Sequence, residues 1–228
     1  MNNALLLLEI AATFAAVVGM YYCFGKKGLT AWIAIASITA NVLTAKSADI
    51  LGMSTTLGTV MFASNFLATD ILCELHGEKA ARQGVLIGLA ATLVFMAAAQ
   101  VALLYQPSAF DYAHGAMETL FAMNLRISLS SVVMYAVANL ADVYLFARLR
   151  EATGDRKLWL RNNVSTILCN CLENFAFIFM AFIGVYSAKE CMMIALAASA
   201  VEALAALCDT PFLYLARRLG RVCDRKRE

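Results

Sequence analysis

Asn170, Glu173 and Asn174 stand in an apolar stretch at spacing i, i+3, i+4, so a helix brings all three to one face. Glu202 and Asp209 are seven residues apart in another apolar stretch and also share a face. Asn41, Asn65, Asp70, Asn139 and Asp142 interrupt further apolar runs. The chemistry open to such a set is recognition. A carboxylate accepts two parallel N–H bonds from a guanidine-like edge, and an asparagine reads a carbonyl and an N–H together. A planar ligand rich in N–H donors fits, such as the 2-amino-pyrimidinone edge of a guanine-type base. A cation fits the same acids, and so does a proton pathway. Two neighbouring carboxyls repel unless one is protonated or a donor bridges them, and a bound ligand is such a donor.

The elements that must position these groups follow from composition. The chain has 228 residues, 62% hydrophobic and 15% charged, with mean hydropathy +0.72. Soluble domains run at about 45–50% apolar and about 25% charged. The apolar residues come in long runs rather than in alternation, which excludes a β-barrel. A soluble enzyme, a nucleic-acid binder and a disordered chain are excluded with it. The expectation is an all-α, polytopic membrane bundle forming a single transmembrane domain over residues 1–228. Seven stretches approach the ~20 residues a span needs: Ala4–Phe24, Leu29–Ala45, Leu57–Leu72, Val85–Tyr105, Ile127–Phe146, Val164–Tyr186 and Cys191–Leu215. The first lacks a cationic lead and a cleavage site, so it reads as a retained helix.

Charge placement tests the count. With the N-terminus outside and seven spans, 15 of the 18 Lys and Arg residues fall on inner connections. Lys46, Arg126 and Lys189 alone fall outside, as the positive-inside rule requires. The C-terminus is then inside, and the basic tail 216–228 reads as a topology signal on anionic lipid, not a nucleic-acid site. The outer connection Gln106–Asn124 is long enough for a short interfacial helix. The inner connection Ala147–Asn162 is basic. There is no Walker A motif and no room for an ATPase domain. The seven cysteines include no CxxC and read as small apolar packers. His76 and His114 lie in loops without ligand spacing, so neither a metal nor a cofactor is expected. Gly84 and Gly88 mark a close helix approach, within one protomer or across a homodimer.

Ionisable residues inside a bilayer cost a few kcal/mol and usually face the bundle interior. Depth places Asn170, Glu173, Asn174 and Glu202 near the centre, with Asp209, Asp70 and Asp142 further in. Pro211 removes a backbone bond from the last span and is expected to kink it beside Asp209. For several acids a local pairing competes with a functional role. Asp142 would pair with Arg148 or Arg150, Asp70 and Glu74 would pair with Lys79 or Arg82, and Glu9 would snorkel to the outer leaflet.

The stretch Ile50–Gln83 carries Thr55-Thr56-Leu57-Gly58, Phe66-Leu67-Ala68-Thr69-Asp70, Gly77 and Ala81-Arg82. It resembles the signature region of the vitamin-uptake-transporter-like family of queuosine precursor transporters. Arg126 with Asp142–Phe146 and Arg148–Arg150, Ser165-Thr166 with Asn170 and Phe175–Phe177, and Pro211 before a basic end are similar to further family blocks. The resemblance spans roughly residues 30–220. It implies a non-enzymatic, inner-membrane importer of 7-deazaguanine precursors of the tRNA base queuosine: the nitrile base, the aminomethyl base or queuine. It also implies a six-helix core, here residues 29–219, preceded by the additional helix 4–24. Asp70, Arg126, Asp142 and Asn170 are carried over as family motif residues. The expected substrate site joins Asp70, Arg126 and Asn170 to Asn65, Glu173, Asn174, Glu202 and Asp209. Asp142, Pro211, Asn41 and Lys46 are expected to hold or gate helix ends. The alternative is a substrate-capture subunit of an energy-coupling-factor importer that needs a separate ATPase module. An intramembrane enzyme would need a nucleophile–base pair or metal ligands at mid-depth, and a bare scaffold would not need so many buried acids.

Overall fold

The structure is a computed structural model and describes residues 2–50, 52–121, 125–154 and 156–225. The chain forms α1 (Asn2–Leu43), a two-stranded hairpin of β1 (Ser47–Ile50) and β2 (Met53–Thr56), α2 (Thr59–His76), α3 (Glu78–Leu104), α4 (His114–Phe121), α5 (Leu125–Thr153), α6 (Leu158–Phe182) and α7 (Ala188–Arg225). Among the described residues, five helices are long and apolar enough to cross a membrane: α1, α3, α5, α6 and α7.

A straight α1 of 42 residues would measure about 63 Å, roughly twice a bilayer's hydrocarbon thickness. It is not straight. Gly25 takes φ 60°, ψ −140°, a conformation open in practice only to glycine. The chain doubles back there. A Cβ on Gly28 would stand 2.2 Å from the Met20 carbonyl oxygen, although eight residues of straight helix would separate the two by about 12 Å. Asn2, at the start of the first half, donates from Nδ2 to the Asp49 carbonyl just past the end of the second, at 3.0 Å. Residues 2–24 and 26–43 are therefore antiparallel neighbours, matching the separate stretches 4–24 and 29–45 read from the sequence.

The outer surface is apolar. Val94, Leu104, Leu168 and Leu207 are 69%, 82%, 57% and 58% exposed, whereas Asn65, Asp70, Asn139, Asp142 and Asn162 are all 0% exposed. This inverts the pattern of a soluble domain, where charged and amide side chains are mostly outside, and matches a bundle surrounded by lipid. It also explains α2. All residues from Ala63 to Glu74 are buried, because α2 packs against α1, α3, α5 and α7. A helix enclosed by helices need not be apolar all round, so α2 carries Asn65, Asp70 and Glu74 and is not among the five apolar helices. Small residues permit the close approach of α3 to α1: a Cβ on Gly84 or Gly88 would meet Ile33 side-chain carbons at 2.9 and 2.8 Å.

The helices extend beyond the apolar stretches. Residues 147–153 and 158–162, expected in the inner connection Ala147–Asn162, are helical, and the turn shrinks to residues around Gly154. The reason is that Arg161 and Asn162 face neighbouring helices and not solvent, being fully buried. The hairpin 47–56 was not legible as strands. α4 occupies the expected connection Gln106–Asn124. The turns at Gly25, Gly77 and Gly154, with most of the Lys and Arg residues, gather at one end of the bundle. The hairpin, α4 and the α6–α7 turn lie at the other.

Candidate functional site

A cavity of about 150 Å³ lies toward the hairpin end. α6 contributes Glu173, Asn174 and Phe177, and α7 contributes Glu202. α1 adds Asn41 and Thr44, α2 adds Phe62, α3 adds Thr92, and α5 adds Tyr135. Asn174 Nδ2 donates to Glu202 Oε2 at 2.6 Å. The Glu173 Oε2 atom is buried and has no hydrogen-bond partner among the described residues, and the same holds for the Thr92 hydroxyl. Phe62 and Tyr135 meet edge to face, with centroids 6.2 Å apart. The cavity thus offers flat aromatic faces, one committed carboxyl and one uncommitted carboxyl oxygen, with no Lys or Arg among the described residues of its lining. A fully apolar ligand would leave that oxygen buried and unpaired, at a cost of about 1–3 kcal/mol or more. An N–H donor would satisfy it.

Behind the aromatic wall lies a polar layer. Tyr135 Oη and Ser37 Oγ are 2.9 Å apart, and Asn65 Nδ2 donates to Ser37 Oγ at 3.1 Å. Asn65 therefore supports Tyr135 and does not line the cavity. Ser37 Oγ also donates to the Ile33 carbonyl at 2.7 Å, which fixes its remaining hydrogen and makes Tyr135 the donor to it.

Toward the basic end, a second group joins α2, α5, α6 and α7. The Thr166 hydroxyl lies 3.4 Å from Asp70 Oδ2 and 3.5 Å from Asp142 Oδ1. Asn162 Nδ2 donates to Asp209 Oδ1 at 2.6 Å, and Asn163 Nδ2 donates to Thr210 Oγ1 at 2.8 Å. Asp70 Oδ1, Asp142 Oδ2 and both polar atoms of Asn170 are buried without a donor or acceptor partner among the described residues, while the two carboxyls approach each other. Asn170 sits one turn from Thr166 and one turn from Glu173 and Asn174, so α6 carries a polar face from this group to the cavity. α7 is helical on both sides of Pro211, which is exposed, and Thr210 beside it turns inward to Asn162 and Asn163.

At the basic mouth, Arg161 Nη2 donates to both Glu74 carboxylate oxygens, at 2.7 and 2.6 Å. Arg217 Nε and Arg150 Nε approach the same carboxylate at 3.2 and 3.7 Å. Arg161 is fully buried, and its Nη1 donates to the carbonyls of Gly154 and Arg156 at 2.8 and 3.2 Å. The local pairings expected from sequence are therefore corrected. Glu74 faces inward on the enclosed helix α2 and takes arginines from α5, α6 and α7. Arg82 pairs instead with Glu78, one turn earlier, and Arg148 with Glu151. Asp142 and Asp70 meet Thr166 and each other, Asp142 also meets Ser165, and among the described residues neither takes an arginine.

Of the residues singled out in the sequence, Glu173, Asn174, Glu202 and Asn41 converge on the cavity. Asp70, Asp142 and Asp209 form the deeper group, with Asn170 between the two. Lys46 is exposed in the turn before the hairpin, where its carbonyl accepts from the Leu57 N–H at 2.9 Å. The Arg126 side chain lies outside the described residues. Sequence reading missed Tyr135, Phe62 and Phe177. Their signal was present: Phe177 extends the 173–174 face by one turn, Tyr135 precedes Asn139 by four, and Phe62 precedes Asn65 by three.

An apolar-surfaced helix bundle with its carboxyls and amides turned inward marks a multi-pass membrane protein, and the family it belongs to is one of transporters. The chain belongs to the queuosine precursor transporter family: residues 56–216 match the family model described as "Putative vitamin uptake transporter". It is 32% identical over 219 residues, 96% of each chain, to the "Probable queuosine precursor transporter" of Bacillus subtilis. It is 31% identical over 144 residues, 63% of this chain and 62% of the relative, to the "Queuosine precursor transporter" of Escherichia coli. No solved structure matches the chain. Membership of this family and the apolar helices place the protein in the cell membrane.

Proposed function

We propose that the protein imports a queuosine precursor base by alternating access, and that the cavity between α6 and α7 is where the base binds. The observation that carries this reading is the uncommitted Glu173 Oε2 in an aromatic-walled cavity whose other carboxyl, Glu202, is held by Asn174. Glu173 accepts N–H bonds from the pyrimidine edge. Phe62, Tyr135 and Phe177 pack on the ring faces. Glu202 and Asn174 read the remaining polar atoms. The volume, about 150 Å³, is below the ~300–1,000 Å³ of drug-sized pockets and suits a single base more than a nucleoside. The names of the two relatives support the substrate class.

Seven crossings, with the N-terminus outside and the C-terminus inside, complete the proposal. The doubled-back α1 and the enclosed α2 supply the crossings beyond the apolar helices, and the basic end faces the cytoplasm. The whole chain then acts as one transmembrane unit, with the Glu74 cluster closing its cytoplasmic mouth. The test is uptake of labelled 7-deazaguanine bases into liposomes containing this purified protein alone. Saturable uptake, competed by the unlabelled base and not by guanine, is expected. Binding without uptake would instead favour a capture subunit that needs an ATPase partner.

A further inference from the structure

The buried carboxyls of Asp70 and Asp142 have no role in the cavity. The donors near their four oxygens are two hydroxyls, Thr166 at 3.4 and 3.5 Å and Ser165 beside Asp142, and each hydroxyl has a single hydrogen to give. The two carboxyls lie within hydrogen-bonding reach of each other, yet among the described residues Asp70 Oδ1 and Asp142 Oδ2 have no donor, and Asn170, 1% exposed, carries an unpartnered amide on the next turn of α6. The titratable groups around them are Cys73 and Glu74 on α2, Arg150 on α5, Cys169 and Arg161 on α6, and Asp209 and Arg217 on α7. The arginines are committed to Glu74, one turn beyond Asp70, and Asp209 is held by Asn162. What the group lacks is one positively charged hydrogen. Among the described residues the carboxyls are not grouped as metal ligands.

We infer that Asp70 and Asp142 hold an exchangeable proton, shared across Thr166, that moves with the substrate and couples transport to the proton gradient. This rests on the transporter reading above. The proton leaves water on one side of the membrane, converts a carboxylate to a carboxylic acid, and returns to water on the other side once the helices have rearranged; no other bond changes. The site lies where α2, α5, α6 and α7 meet, between the cavity and the Glu74 cluster, so its charge bears on every helix that must move to open the basic mouth. Neutralising the pair removes the repulsion that favours separating α2 from α5.

Two readouts test this. Infrared difference spectra of the purified protein between low and high pH report protonated carboxyls without any substrate. A protonated-carboxyl band is expected that is lost in Asp142→Asn and in Asp70→Asn and retained in Glu202→Gln; if either variant fails to fold, the other and Thr166→Val, which should shift the band, still decide. Uptake of a labelled precursor base into liposomes is then measured with an imposed gradient of about two pH units, which for one proton per substrate raises the accumulation ratio up to about 100-fold. Asp142→Asn should take up base with no response to the gradient. Saturable wild-type uptake that ignores pH, or follows a sodium gradient instead, would overturn the proton while leaving the transporter intact. No wild-type uptake of any base would overturn the transporter reading, and a band unchanged in Asp70→Asn, Asp142→Asn and Thr166→Val would overturn the site by itself.

Discussion

Replacing Arg161 with methionine should destabilise the protein more than any other single change at the basic end. Arg161 is fully buried, makes two bonds to Glu74 and two to the carbonyls of the α5–α6 turn, and lies with its guanidinium carbon 5.6 Å from the Phe146 ring centroid. Breaking a buried pair by removing one partner costs about 3–5 kcal/mol, because the other charge is left uncompensated. Here Arg217 and Arg150 still reach Glu74, which places the cost near the lower end, about 3 kcal/mol. For a chain of this size each kcal/mol lowers Tm by about 2–4 °C, so a fall of roughly 6–12 °C is expected. The assay is thermal unfolding of detergent-purified protein followed by tryptophan fluorescence. Glu74→Gln should also destabilise. The double variant should recover roughly 1–2 kcal/mol relative to the sum of the singles, as coupled neighbours do. Because the pair is buried, added salt should change little. An Arg161→Met protein that melts within about 2 °C of wild type, or a strictly additive double variant, would refute the buried cluster.

Gly88→Ala places a Cβ 2.5 Å from the Tyr135 hydroxyl and 2.8 Å from Ile33 Cγ2; overpacking of about 1–3 kcal/mol is expected, read as a lower Tm, together with weaker base binding as Tyr135 is pushed toward the cavity. Gly84→Ala meets only the flexible tips of Ile33 and Leu72, at 2.9 and 3.0 Å, and should bind the base normally with a smaller loss of Tm. Gly25→Ala meets no atom within 4 Å, so its cost comes from backbone strain alone, about 1–3 kcal/mol. Inserting a second glycine beside Gly25 should cost less than that, and equal losses would contradict the doubled-back turn.

The helical stretches and the depth ordering of the acids were legible because both follow from local properties, hydropathy and a rise per residue. That ordering separated Glu173 and Glu202 from Asp70, Asp142 and Asp209, and the structure keeps them apart in two groups. The choice of partners was not legible. Glu74 and Arg161 are 87 residues apart, and sequence proximity pointed to Lys79 and Arg82 only because it cannot see that α2 is enclosed. The same blindness cut α6 short: Arg161 and Asn162 look like loop residues until a neighbouring helix supplies Glu74 and Asp209. The hairpin at 47–56 escaped because four-residue strands carry too few positions to show an alternation. Asn65 was expected at the ligand; its amide bonds Ser37 and, through it, reaches Tyr135, a contact that only the packing reveals.

The most direct test of the substrate site is equilibrium binding of a labelled queuosine precursor base to the purified wild-type, Glu173→Gln and Glu202→Gln proteins. Bonds to a charged acceptor are worth about 1.5–3 kcal/mol, or roughly 10- to 150-fold in Kd. A loss of that size in Glu173→Gln, and a comparable one in Glu202→Gln, with Tm held near wild type, is the predicted result. Unchanged affinity in both folded variants would contradict the account and move the binding site elsewhere in the bundle.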